Sequence, residues 1–168
     1  MNKIKKEYKI LIFIFILILI DQILKFIAFK NNDFIVINGV LKFKIFNDVS
    51  GCYGVNTNST IMYILTNLIV AIIAFQFITS QNQFVDKKIK VFLSLIIAGG
   101  ISNCIDRVFR GYVLEFIDFT DFLNVPILNL ADIFILIGWI AMAAIFASFT
   151  AKELKNRKSI KKEWLCWN

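Results

Sequence analysis

Four apolar stretches, at residues 10–29, 61–78, 91–107 and 127–149, dominate the chain. A helix needs about 20 such residues to cross the ~30 Å hydrocarbon core of a bilayer. The third stretch reaches that length only when its polar end, through Arg107, is counted. A 168-residue chain that is 58% hydrophobic, with a mean hydropathy of +0.72, lies outside soluble-domain composition. The expected fold is therefore a membrane protein, mainly α: one domain built as a four-transmembrane-helix bundle. The first stretch follows Lys3, Lys5, Lys6 and Lys9 as the apolar core of a signal peptide would. Its hydrophobic pattern resumes after Asp21 and Gln22, however, and no small-residue cleavage site follows, so it reads as an anchor.

Charge sets an expected orientation. Lysines crowd the N-terminus, the loop after the second stretch (Lys87, Lys88, Lys90) and the tail 152–168. The positive-inside rule puts those three segments in the cytoplasm, and so both termini. Asp21, Asp33, Asp48, Asp106, Glu115, Asp118, Asp121 and Asp132 then belong to the other side. The net charge of +7 reads as membrane topology, and no nucleic-acid partner is expected. On that outer side "FIVINGVLKFKIF" (34–46) is β-branched and aromatic, with Asn38-Gly39 as a two-residue hairpin signal. A small extracytoplasmic β-sheet is expected over about 34–55, including the glycine-bearing loop "NDVSGCYGV" (47–55). The second helix, with only Thr66, Asn67 and Gln76 as polar interruptions, is expected to be structural.

The residues that carry information are the ionisable ones inside or bordering the spans: Asp21 and Lys25, Asp106 and Arg107, and Asp132. Each costs ~2.5 to 3.5 kcal/mol at the bilayer centre on the lenient scale, so they must face one another, water or a substrate. Counted from the basic anchors at ~1.5 Å per residue, three helices carry their polar groups into the same outer half of the membrane. Asp21 and Lys25 are spaced i, i+4; Asn103, Asp106 and Arg107 share a face running back to Gly99; Asn129 and Asp132 are i, i+3. Gly99, Gly100, Ser102 and Ala131 would let these helices approach closely.

Histidine is absent and the three cysteines have no paired spacing. No metal site and no cofactor are expected, and neither is a Ser-His or Cys-His nucleophile. Any catalysis must rest on carboxylates. A membrane hydrolase would keep one carboxyl protonated by crowding and burial while a second activates water. A proton-coupled carrier would also use intramembrane acids, but the cytoplasmic halves offer no polar through-path. A third possibility is that buried ion pairs merely order the bundle.

Four motifs fall in order along the helices: "DQILK" (21–25), "GGISNCIDR" (99–107), "GYVLEFIDF" (111–119) and "LNLAD" (128–132). Together they resemble the D-Q-x-x-K, G-G-x-x-x-N-x-x-D-R, G-x-V-V-D-F-I-D-F and F-N-x-A-D of the bacterial lipoprotein signal peptidases, signal peptidase II, which are intramembrane aspartyl proteases. The resemblance covers residues 21–138. It implies a multi-pass protein of the bacterial cytoplasmic membrane with its active site toward the outer leaflet. It further implies membrane lipids and a lipid-modified prolipoprotein substrate as partners, cut before the diacylglyceryl cysteine, and a monomer is expected. Position by position, the catalytic acids fall on Asp132 and Glu115. Asn103, Asp106, Arg107, Asn129, Asp21, Lys25, Asp48 and Gly99 become substrate-binding or site-supporting residues.

Two positions depart from the family pattern. Glu115 stands where the family has Asp, and "DVSGCYG" (48–54) replaces N-x-G-A-A-[FW]-G, which puts Asp48 in place of Asn. A catalytically silent homologue that binds lipopeptides is the alternative these departures raise. Asp118 is the fallback partner acid. If "YVLEFIDF" is extended, Glu115 and Asp118 point to opposite faces and only one can reach Asp132; if it is helical, both could lie on one face.

Overall fold

The computed structural model describes residues 4–31, 34–48, 59–79, 85–123 and 125–166. Four helices in it are long and apolar enough to span a membrane: α1 (Ile4–Lys30), α2 (Ser59–Thr79), α3 (Lys87–Arg110) and α4 (Leu130–Cys166). Three short strands accompany them among the described residues: β1 (Phe34–Ile37), β2 (Leu41–Asp48) and β3 (Val113–Asp118). The expected class, a four-helix membrane bundle with a small sheet, is the observed one.

The hub is α3. In its apolar window 61% of residues are buried, against 22% in α1 and 11% in each of α2 and α4. It is also the least hydropathic span, at 1.6 against 2.3 to 2.7. The two facts have one cause: a helix shielded from lipid by its neighbours can carry Ser94, Ser102, Asn103 and Asp106, all buried, without exposing them to hydrocarbon. Its small residues set the spacing. A Cβ on Gly99 would lie 2.3 Å from the Ala131 carbonyl oxygen and 2.7 Å from Ile135 Cγ1, so α3 and α4 meet there at the closest approach a glycine allows. Gly99→Ala should therefore force α3 and α4 apart and destabilise the protein by roughly 1 to 3 kcal/mol, the range for overpacked cores. Thermal unfolding in detergent measures this, and an unchanged midpoint would contradict the close seam.

Helix ends differ from the expected ones for local reasons. Asp86 caps α3, its carboxyl accepting from Ile89 N at 2.9 Å, so the helix starts at Lys87 rather than near 91. It ends at Gly111, whose φ of 80° lets its N–H turn back to the Arg107 carbonyl. α4 begins at Leu130, not near 127, because residues 127–129 are committed elsewhere. Leu128 bridges to Ile117 of β3, with Leu128 N donating to Ile117 O at 2.9 Å and Ile117 N to Leu128 O at 2.8 Å. At the other end α4 continues to Cys166, through the tail read from sequence as a basic cytoplasmic end. Nothing from Trp139 to Cys166 is Gly or Pro, and the Lys, Glu and Arg of that tail are good helix formers.

The sheet is antiparallel in the order β1-β2-β3. β1 and β2 are joined by a three-residue turn, 38–40, rather than a two-residue one: Ile37 pairs with Leu41 and Gly39 takes φ 72°. β3, which follows α3, adds to the hairpin that precedes α2, with Asp48 opposite Val113 and Phe46 opposite Glu115. Phe43 stacks on Phe116 at 5.7 Å. Of the loop "DVSGCYG" only Asp48 lies within the described residues.

Candidate active site

Three helices contribute to one buried polar network. Lys25, fully buried, places its three N–H donors on Asp21 Oδ2 (2.8 Å), Asp106 Oδ2 (2.7 Å) and Asn103 Oδ1 (3.0 Å). An ammonium has three donors and no acceptor, so Lys25 is fully satisfied. Asp21 also accepts from Ser102 Oγ at 2.6 Å and from Ala131 N at 2.9 Å, which ties α1 to both α3 and the first turn of α4. Asp106 takes Gln22 Nε2 at 3.0 Å and Arg110 Nη1 at 2.5 Å on its other oxygen. The Leu114 N–H reaches its Oδ2 at 3.4 Å. Asp21, Lys25 and Asp106 thus spend their hydrogen-bonding capacity on one another and on their neighbours in the bundle.

That scaffold orients the groups beside it. Asn103 Oδ1 receives Lys25 and, at 3.2 Å, Asn129 Nδ2. Its amide nitrogen therefore faces Asp132, donating to Oδ1 at 2.8 Å. Asn129 and Asp132 form a reciprocal cap at the start of α4: Asn129 N donates to Asp132 Oδ2 at 3.0 Å, and Asp132 N donates to Asn129 Oδ1 at 2.9 Å. Both Asp132 oxygens are acceptors in this pattern. Each keeps a further lone pair, and the side chain is half-buried, whereas Asp21 and Asp106 are sealed.

Glu115 reaches the same region from β3. The Ile117–Leu128 bridge sets the strand against the segment leading to Asn129 and Asp132. Glu115 is 4% exposed, and among the described residues no hydrogen bond is donated to its carboxyl. Burial pushes its pKa up to about 8, with the Asp132 and Asp48 carboxylates adding to the rise and Arg107 and Lys25 opposing it. Asp48 is buried on β2, and its Oδ2 lies 3.9 Å from Arg107 Nη2. Arg107, from the same helix as Asn103 and Asp106, extends its guanidinium to this carboxylate. It turns toward the sheet and stacks over Tyr63 of α2 at 5.0 Å.

Because residues 113–118 are a strand, Glu115 and Asp118 project to opposite faces. Asp118 accepts the Thr120 N–H at 2.8 Å. Hydrogen bonding to Thr120, with Lys42 and Lys44 nearby, holds its carboxyl below the usual range. It serves the end of the strand and is not grouped with Asp132. Sequence reasoning missed Arg110 and Tyr63 and gave Gln22 no partner. Arg110 was findable, since it stands four residues after Asp106 on the same helix; Tyr63 comes from a helix that offered no such signal. Among the described residues no group of three or more Cys, Asp or Glu is arranged to hold a metal ion.

The model of the family described as Signal peptidase (SPase) II matches residues 13–149, most of the chain and all of this network. The chain belongs to the signal peptidase II family. It is 36% identical over 145 residues to the lipoprotein signal peptidase of Thermodesulfovibrio yellowstonii, covering 79% of this chain and 90% of that one. With the lipoprotein signal peptidase of Clostridium tetani it shares 31% over 131 residues, 74% of this chain and 83% of that one. A solved bacterial membrane enzyme superposes with a TM-score of 0.74 at 27% identity, over 89% of this chain and 92% of the other. A signal peptidase II is a membrane protease that removes signal peptides from lipoproteins, and the four apolar helices make this member a multi-pass membrane protein.

Proposed function

We propose that this signal peptidase II cleaves diacylglyceryl-modified prolipoproteins before the lipid-bearing cysteine, with Glu115 and Asp132 as an acid–base pair. The observation that carries the proposal is the unlike hydrogen bonding of two neighbouring carboxyls. Asp132 accepts two N–H donors, whereas Glu115 receives none from the described residues and is pushed up to about 8. At neutral pH Glu115 then holds a proton and Asp132 is the acceptor. Asp132 takes a proton from water as it attacks the scissile carbonyl carbon, and Glu115 donates a hydrogen bond, then its proton, to the carbonyl oxygen. As the C–N bond breaks, Asp132 returns its proton to the leaving nitrogen. The neutral diol collapses to the new carboxyl group, and the proton it sheds restores Glu115. The scaffold of Asp21, Lys25 and Asp106 positions this pair through Asn103 and Asn129. The lysine-rich segments support a site facing the outer leaflet of the cytoplasmic membrane, with both termini inside, and the enzyme acts as a monomer.

Cleavage of a diacylglyceryl precursor by the purified protein in detergent tests the proposal. Product is expected, with kcat/KM falling above about pH 8 as Glu115 loses its proton. Asp48→Asn removes a neighbouring negative charge that favours the protonated form, so the alkaline limb should move to lower pH. Precursor that binds tightly and yields no product at any pH would make the protein a lipopeptide binder and overturn the assignment.

A further inference from the structure

α2 and α4 each pack on α3 and scarcely touch one another. Between them lies an open crevice of about 870 Å³, floored by α3 through Ile89, Leu93 and Ile96. One wall is a single stripe of α4, Trp139, Met142, Ile145 and Phe149, at the three- and four-residue spacing of one helix face. The stripe ends on Lys152. From Trp139 to Lys152 it runs ~20 Å, more than the half-thickness of a ~30 Å hydrocarbon core. It begins about two turns along α4 from Asp132 and heads away from it, so it lies outside the site described above.

Two charged residues line the crevice, Lys152 and Asp86. Lys87 and Lys88 do not line it but are exposed in the first turn of α3, between the lining residues Asp86 and Ile89. The Asp86 carboxyl is engaged in capping Ile89 N at 2.9 Å. Glu153 stands one residue beyond Lys152 and, like Lys87 and Lys88, is not among the lining residues, which leaves the exposed lysines in excess. The result is a long apolar slot with Lys152 at the end of its α4 wall and Lys87 and Lys88 exposed at the start of its α3 floor. We infer that this crevice is a binding site for one anionic phospholipid, its acyl chain lying between α2 and α4 and its phosphate meeting Lys152, Lys87 and Lys88. Apolar complementarity alone would accept any phospholipid. The lysines make the site selective for net negative headgroups, each adding attraction near the membrane surface.

Trp139 reports occupancy directly. Trp164→Phe with Trp167→Phe leaves it as the sole tryptophan. This protein, reconstituted in vesicles of zwitterionic phosphatidylcholine, is titrated with dibrominated phosphatidylglycerol or dibrominated phosphatidylcholine. Half-maximal quenching by the anionic lipid is expected at a mole fraction lower by on the order of tenfold. Lys152→Glu combined with Lys87→Glu should remove that preference. Equal quenching curves for the two lipids, or a preference unchanged by the charge reversals, would overturn the site. A second measurement needs no substitution: released from micelles holding equal amounts of both lipids, the wild-type chain should retain a single anionic one. Equal retention of the two would likewise refute the assignment.

Discussion

Glu115→Gln is expected to lower the rate of precursor cleavage by roughly 10³-fold, within the ~10²–10⁴ that a positioned acid or base contributes, without lowering stability at neutral pH. The second half of that expectation makes the first informative. Glu115 accepts no protein hydrogen bond among the described residues and is already protonated near neutrality, so a neutral isostere disturbs little. The linkage sign agrees. The folded-state pKa of Glu115 is raised from 4.5 to about 8, so its contribution to stability is fully present below about 4.5 and lost as pH rises through about 8. The Gln variant should therefore match the wild type below about pH 4.5 and unfold at an increasingly higher temperature than it as pH rises toward about 8. Asp132→Asn is a less clean experiment. Asp132 takes an N–H on each oxygen, from Asn103 and Asn129, and an amide would turn its own NH₂ toward one of those donors. It should abolish cleavage and also lower the unfolding temperature. Normal turnover by the Glu115→Gln protein would remove Glu115 from the reaction.

Lys25→Met should destabilise the fold by about 3 to 5 kcal/mol, the cost of stripping one partner from buried charges. That corresponds to a fall in unfolding temperature on the order of 10 °C. Asp21 and Asp106 would be left in the membrane interior with no Lys25 ammonium between them. Asn103 would lose the donor that helps fix its amide, and with it the orientation of its bond to Asp132. Activity should therefore fall in molecules that remain folded. Adding Asp106→Asn to Lys25→Met should recover part of the stability by removing one uncompensated charge. An unfolding midpoint for Lys25→Met indistinguishable from that of the wild type would show that the triad is not what holds α1 to α3.

Much of this was legible in the chain because a membrane makes polarity expensive. Asp21, Lys25, Asn103, Asp106, Asn129 and Asp132 stand out against apolar surroundings, and helical periodicity combined with a count from the basic anchors places them in one layer. The pairs within one segment were equally accessible: Asp21 with Lys25 and Asn129 with Asp132 follow from a rise of ~1.5 Å per residue. The β-branched and aromatic residues of 113–118 suited an extended form without excluding a helix; the strand decides that Glu115 and Asp118 point to opposite faces.

Only the tertiary structure decided what depends on contacts far apart in sequence. Helical phase puts Arg107 beside Asn103 and Asp106, but only the fold brings Asp48 of β2 and Tyr63 of α2 to its guanidinium. Helix α4 starts at Leu130 because a strand bridge from Ile117 claims Leu128, and no local preference at 127–129 reveals that partner. The same bridge sets β3 against the start of α4, with Glu115 rather than Asp118 on the side of Asp132. Local spacing determines which side chains share a face of one element. Which faces then meet is set by close packing across elements, as at Gly99 against Ala131, and by the need to satisfy every buried charge at once.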